Sequence, residues 1–227
     1  GFGGNVLGVS SGAAGGYCRK NSLAVTTSHS YPVIIGAGGA RVTNSTQGIA
    51  GGTTSVSGTG LPAGTPLRAF GGGGGQNGSS STGGVATGGD VMNTGGVSAI
   101  YTGGGAVGIL GTGNAGQSSL FGYAGGDCDV IGDLWSSSFG KISGSRGADG
   151  IYFNSNSQYR PANTPVDAGP FAGGGVSRMD RTTQYGITLG GSATIGGGGG
   201  YCDNSGGPSY GVSGRGGEGC VVIQYIP

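Results

Sequence analysis

GGGGGYCDNSGG at 196–207 and AFGGGGGQNGSS at 69–80 are the two stretches on which the fold of this chain turns. Five consecutive glycines bury no side chain and lose more backbone entropy on folding than any other residue type. A folded chain that spells such a run twice must recover stability from the backbone itself. An extended polyproline-II segment has three residues per turn, a rise of about 3.1 Å per residue and no internal hydrogen bonds, so every N–H and C=O needs a neighbour. Without Cβ atoms, adjacent glycine segments approach closely enough to bond sideways, each bond adding about 1 kcal/mol net. The expectation is a lattice of extended glycine segments whose interior is the glycine runs, with the material between them on the surface.

Composition supports an ordered version of this picture. Glycine supplies 62 of 227 residues, against a usual share of roughly 7%. Abundant Gly and Ser without a period ordinarily marks a disordered segment, but short apolar, strand-like stretches punctuate the glycine here. Collagen requires glycine at every third position with abundant proline, and the chain has only 8 prolines and no sustained triplet. Charged residues are 8% and the net charge is +1, so no global field draws the protein to nucleic acid or to an anionic membrane. No apolar run reaches the length of a membrane span and no secretory leader pattern is visible. Neither nucleic acid nor membrane insertion is expected. The four cysteines, Cys18, Cys128, Cys202 and Cys220, form no C-x-x-C pair and are too scattered for a disulfide scaffold, leaving the redox compartment open.

Along the chain, no glycine-free stretch shows helical apolar spacing, so essentially no α-helix is expected. Strand signals sit at the two ends, in Tyr17 to Thr26, Ser30 to Ile35 and Gly219 to Ile226, as β-branched and aromatic runs bounded by turn residues. Glycine blocks at 36–39, 51–52, 71–75, 83–84, 88–89, 95–96, 103–105, 173–175 and 196–200 read as many short passes instead of one linker. The fold class is therefore mostly irregular and β: one domain over 1–227, with a strand-containing base at 1–60 and 217–227 and polyglycine-II passes over 61–216.

Motifs for chemistry do not complete. Pro32 to Ala40 imitates a dinucleotide fingerprint, but Arg41 stands where the last glycine belongs, and the first acid of the chain is Asp90. Gly8-Val-Ser-Ser-Gly12 matches a nucleophile elbow, yet the only histidine, His29, precedes every carboxylate, and a turn between strands suits it better. Asp127 to Asp133 opens like a calcium loop but has Ile131 at the fifth position and Ser138 at the twelfth. No phosphate loop surrounds Lys20 or Lys141. No enzyme activity, metal or cofactor is expected.

The segments 117–188 differ from the rest. Residues 127–181 hold more than half of the charged side chains, and 121–185 more than half of the aromatic ones. Aromatics and arginine favour binding surfaces through large contact area and directional hydrogen bonds, although in so side-chain-poor a chain they also serve packing. Phe121, Tyr123, Trp135, Phe139, Tyr152, Phe153, Tyr159, Arg160, Phe171 and Tyr185 are the candidate contact residues.

GGYCRKNSLAVTTSHSYPVIIGAGG (15–39), GGTTSV (51–56), FGGGGG (70–75), GGGGGYCDNSGG (196–207) and GGEGCVVIQY (216–225) together resemble the glycine-rich domain of bacteriophage tail-fibre tips. The sequence is most similar to the adhesins that cap the long tail fibres of T-even-like phages. The resemblance covers about a third of the chain and rests on the order of these motifs. It implies a polyglycine-II sandwich whose variable connections, matched here by 117–124, 127–147, 149–171 and 177–188, recognise a bacterial outer-membrane protein or surface glycan. It further implies a place at the tip of a virion's tail fibre, on the shaft protein. Two other readings compete: a structural subunit of an extracellular filament or coat, and an ice-binding protein, which would want a flatter and more regular face than these loops offer.

Overall fold

The computed structural model describes residues 2–3, 10, 12–42, 47–76, 79–99, 104, 111–119, 122–124, 133–137, 140–143, 188–189, 197–198, 202–203, 211–212 and 215–223. The glycine run at 71–75 lies at the centre of a hydrogen-bonded lattice. Phe70 and Gly73 donate to the carbonyls of Val85 and Thr82, at 2.9 and 2.8 Å. Their own carbonyls accept from Gly16 and Ala13, at 2.9 and 3.0 Å. The carbonyls of Gly72 and Gly75 accept from Gly51 and Gly48, at 3.1 and 2.7 Å. Each neighbour is thus met every third residue, the turn of polyproline II, whereas a strand alternates with a period of two.

The same step of three recurs elsewhere. Ser81 and Gly84 accept from Ser98 and Gly95; Gly36 and Gly39 accept from Gly219 and Gly216; Thr94 and Val97 accept from Gly113 and Gly116. The last pair of passes runs parallel and the others antiparallel. Because three residues complete a turn, one pass can bond to neighbours on three sides, as 70–75 does with 13–16, 48–51 and 82–85.

Where side chains larger than glycine begin, the passes straighten into strands. These are β1 (Phe2–Gly3), β2 (Tyr17–Arg19), β3 (Val33–Ile34), β4 (Thr54–Val56), β5 (Leu67–Ala69), β6 (Ala86–Thr87) and β7 (Val91–Asn93). Further on come β8 (Gln117–Ser119), β9 (Gly122–Ala124), β10 (Asp133–Ser137), β11 (Gly140–Ser143), β12 (Thr188–Leu189), β13 (Cys202–Asp203) and β14 (Gly211–Val212). Strands β3-β4-β5-β6 form an antiparallel meander and β2 pairs with β7. The register passes from lattice to sheet without a slip: Gly51 bonds Gly72 and, three residues on, Thr54 faces Ala69; Phe70 bonds Val85 and Ala69 faces Ala86. The sheet is therefore an end plate on the glycine lattice. The N- and C-terminal parts are tied by the parallel pair β1–β13 and by the bonds between 36–39 and 216–219.

No α-helix occurs among the described residues, and the one helical turn is a 3-10 turn at Pro62–Gly64. Several details depart from the sequence reading. The strand expected over Tyr17 to Thr26 stops at Arg19, because Asn21 donates its amide to the Asp90 carboxylate and Ser22 turns into the left-handed region at φ 49°. The second strand starts at Val33, after Pro32, which has no N–H for a ladder. Residues 219–223 form no strand. The block at 88–89 is a turn with Gly88 at φ 84°, not a lattice pass. The polyglycine passes expected from 61 onward begin only after the β4–β5 hairpin, whose second strand is Leu67–Ala69.

Among the described residues the interior is made mostly of small side chains. Ala13, Ala14 and Leu61 are buried, and the largest fully buried side chains among the described residues are Ser10, Ser81 and Ser98. Ser81 Oγ donates to the Gly74 carbonyl at 2.7 Å and lies 3.0 Å from Ser10 Oγ, which accepts the Gln76 amide at 2.8 Å. The Ser81 amide donates to Ser98 Oγ at 3.2 Å. Serine is the smallest residue that brings its own hydrogen-bonding group, so it fills lattice positions where a backbone partner is out of reach.

Candidate functional site

Chain direction gives the lattice two distinct ends. Strands β2 to β7 mark one; the passes 70–75 and 94–97 lead away from it. Because 113–116 runs parallel to 94–97, Gly116 leaves the lattice at the opposite end, and β8 follows at once. Strands β8 and β9 pair antiparallel, setting Tyr123 opposite Ser118. Strands β10 and β11 form a second antiparallel hairpin with Trp135 opposite Ile142 and a register shift between Asp133 and Trp135. Tyr123 and Trp135 thus stand on hairpin strands, where the sequence reading expected loops. Phe121, Phe139, Tyr152, Phe153, Tyr159, Arg160, Phe171 and Tyr185 lie outside the described residues, as do positions 127–132 of the calcium-like stretch.

From the sheet end along the glycine passes to Gly48 and Gly75, the structure shows a feature that the sequence reading missed: an open groove of about 1000 Å³. Its walls are glycine passes and its apolar side chains include Leu23, Val25, Ile49, Phe70, Val222 and Ile223. Val25 is 58% exposed and Ile223 79%. Apolar runs at both chain ends had signalled strands; which neighbour leaves them uncovered is not encoded in their pattern.

A family model described as a glycine-rich domain matches residues 1–226. The chain belongs to that glycine-rich family. Neither a curated protein nor a solved structure matches it. The three-residue bonding step is the physical counterpart of the family's composition.

Other candidate residues in this glycine-rich domain have structural positions. Ser10, central to the elbow-like motif, is fully buried and bonded to Ser81 and Gln76. The His29 amide closes a turn on the Thr26 carbonyl at 3.2 Å, as its sequence context suggested, and its ring stands edge-on to Tyr31 at 6.3 Å. Gly36 to Gly39 of the fingerprint-like stretch serve the lattice. Cys18 and Cys220 are free thiols. Burial pushes both above the ordinary thiol value, which keeps them protonated near neutral pH. Burial also raises the Tyr17 hydroxyl, against the pull of Arg19.

Asp90 ties β2 to β7. Its carboxylate pairs with the Lys20 ammonium and accepts the Asn21 amide at 2.8 Å. The Lys20 hydrogen bond first, then the Asn21 amide, hold it below the usual carboxylate value. A depressed pKa stabilises the fold above the unfolded value of 3.8 and is lost as pH falls through the folded one. The wild-type minus Asp90→Asn difference in melting temperature is therefore expected to be small and positive at pH 6 and to vanish under acid, read by a pH series of thermal melts. A difference that grows as pH falls would contradict it.

Proposed function

We propose that this glycine-rich domain is a receptor-binding adhesin at the tip of a phage tail fibre, joined to the shaft protein and recognising a bacterial outer-membrane protein or surface glycan. The observation that carries the reading is the route of the chain: the hydrogen-bonded lattice hands the polypeptide out at Gly116, opposite the sheet end, into 117–188, where aromatic and charged side chains concentrate. Adhesion needs a rigid stage and varied contact groups, and side chains that are dispensable to the lattice are free to vary. Several fibres per virion would multiply a modest single-site affinity.

Binding of the labelled chain to a panel of bacterial strains tests this. The wild type is expected to bind a subset of strains, and a variant with Trp135, Tyr152 and Tyr159 changed to Ser is expected to lose at least about tenfold in affinity while keeping its thermal transition. Equal binding by both proteins would count against the reading.

A structural subunit of an extracellular filament or coat is the second reading. The exposed Val33, at 43%, and Ile34, at 61%, on the sheet's edge strand favour it, because uncovered apolar edges promote association between chains. Long polymers in sedimentation, with no strain-selective binding, would replace the adhesin reading by this one.

A further inference from the structure

The groove at the sheet end has unpaired backbone on two sides. Leu23–Val25 and Cys220–Ile223 line it, and neither stretch makes a backbone hydrogen bond among the described residues. Apolar side chains stand beside these open amides and carbonyls, with Ile49 54% and Val222 43% exposed. An acyl chain laid over them would cover the apolar groups but strip water from the peptide groups without replacing its hydrogen bonds. An added polypeptide strand covers the first and bonds the second, which is the physics of strand addition to an open edge.

The charge at the groove narrows the partner. Arg19, Lys20 and Arg68 line it, and among the described residues no carboxylate does; Asp90, just outside, pairs with Lys20. Arg68 sits on β5 opposite Ser55 and Thr87, on the more exposed face of the meander. A second copy pairing through its own Cys220–Ile223 is a poor fit, since that segment is free of acids and Glu218 beside it is engaged by Arg215 at 2.8 Å. We infer that this groove is a docking site for an extended segment of a partner protein in which apolar residues alternate with acidic ones, added as a strand along Cys220–Ile223. The inference does not rest on the adhesin reading, which concerns the opposite end of the lattice.

A fluorescent peptide in which valine alternates with glutamate tests it against two controls, the same peptide with lysine for glutamate and one N-methylated at alternate amides. The acidic peptide is expected to bind the full chain at least about tenfold more tightly than either control, and hydrogen exchange at the amides of 220–223 is expected to slow on binding. Arg68→Glu should reverse the preference between the acidic and lysine peptides, with unchanged exchange at Gly216 and Gly219 showing that the variant is folded. Equal binding of the acidic and lysine peptides, no binding at millimolar concentration, or binding that leaves 220–223 exchanging freely would overturn the proposal. So would protection of those amides by oleate alone, or by self-association in sedimentation.

Discussion

Gly72→Val is expected to abolish the cooperative unfolding transition of this domain. A Cβ at Gly72 would overlap the Ala13 carbonyl oxygen, which is backbone and has no rotamer to yield. Moving the 13–16 pass aside would break the bonds from Ala13 to Gly73 and from Gly16 to Phe70. Moving 70–75 the other way would compress it against 48–51 and disturb Gly51 on Gly72 and Gly48 on Gly75. Either displacement loses two lattice bonds at about 1 kcal/mol each, and overpacking adds about 1–3 kcal/mol, so the loss is about 3–5 kcal/mol, a large part of the roughly 5–15 kcal/mol typical of a domain. Gly64→Ala is the control: at φ 65° in open space it carries only conformational strain of about 1–2 kcal/mol. Thermal melts of the two variants should differ accordingly, and a Gly72→Val protein that melts like wild type would refute the lattice.

Ser81→Val is expected to have the second-largest effect, about 4 kcal/mol. The side chain is fully buried where three passes meet, so a second branch at Cβ meets packed backbone, a mismatch that costs about 1–3 kcal/mol. Valine also leaves the Gly74 carbonyl without the Ser81 hydroxyl and removes one of the contacts of Ser10 Oγ, at about 1–3 kcal/mol. Ser81→Ala removes only the hydrogen bonds and should lose about half as much. Denaturant unfolding of the pair measures the split; an alanine variant as damaged as the valine one would mean that the hydroxyl and not the space decides.

Much of the architecture was legible because glycine leaves so few options. Runs such as 71–75 cannot pack by side chains, so a backbone lattice with polyproline-II period follows from hydrogen-bond accounting alone. Which run neighbours which was not legible, since glycine carries no side-chain pattern to set register; that Gly73 sits between Ala13 and Thr82 emerges only from the folded chain. The meander was missed because Thr54–Val56 and Leu67–Ala69 are shorter than the four to eight residues that mark a strand in sequence. Ser81 and Ser98 were not singled out. The signal that would have found them is spacing: each stands three residues from a lattice glycine, Gly84 and Gly95, whose neighbour it shares. Composition set 117–188 apart from the rest, and hairpins around Tyr123 and Trp135 are the part of that stretch whose backbone pairing is described.

The three-residue bonding step is the claim on which the rest stands, and scalar couplings across hydrogen bonds in a labelled sample measure it directly. The expected couplings link the Phe70 and Gly73 amides to the carbonyl carbons of Val85 and Thr82, and the Gly16 and Ala13 amides to those of Phe70 and Gly73. Couplings that instead step by two along 70–75, as in a β-ladder, would contradict the lattice and the account built on it.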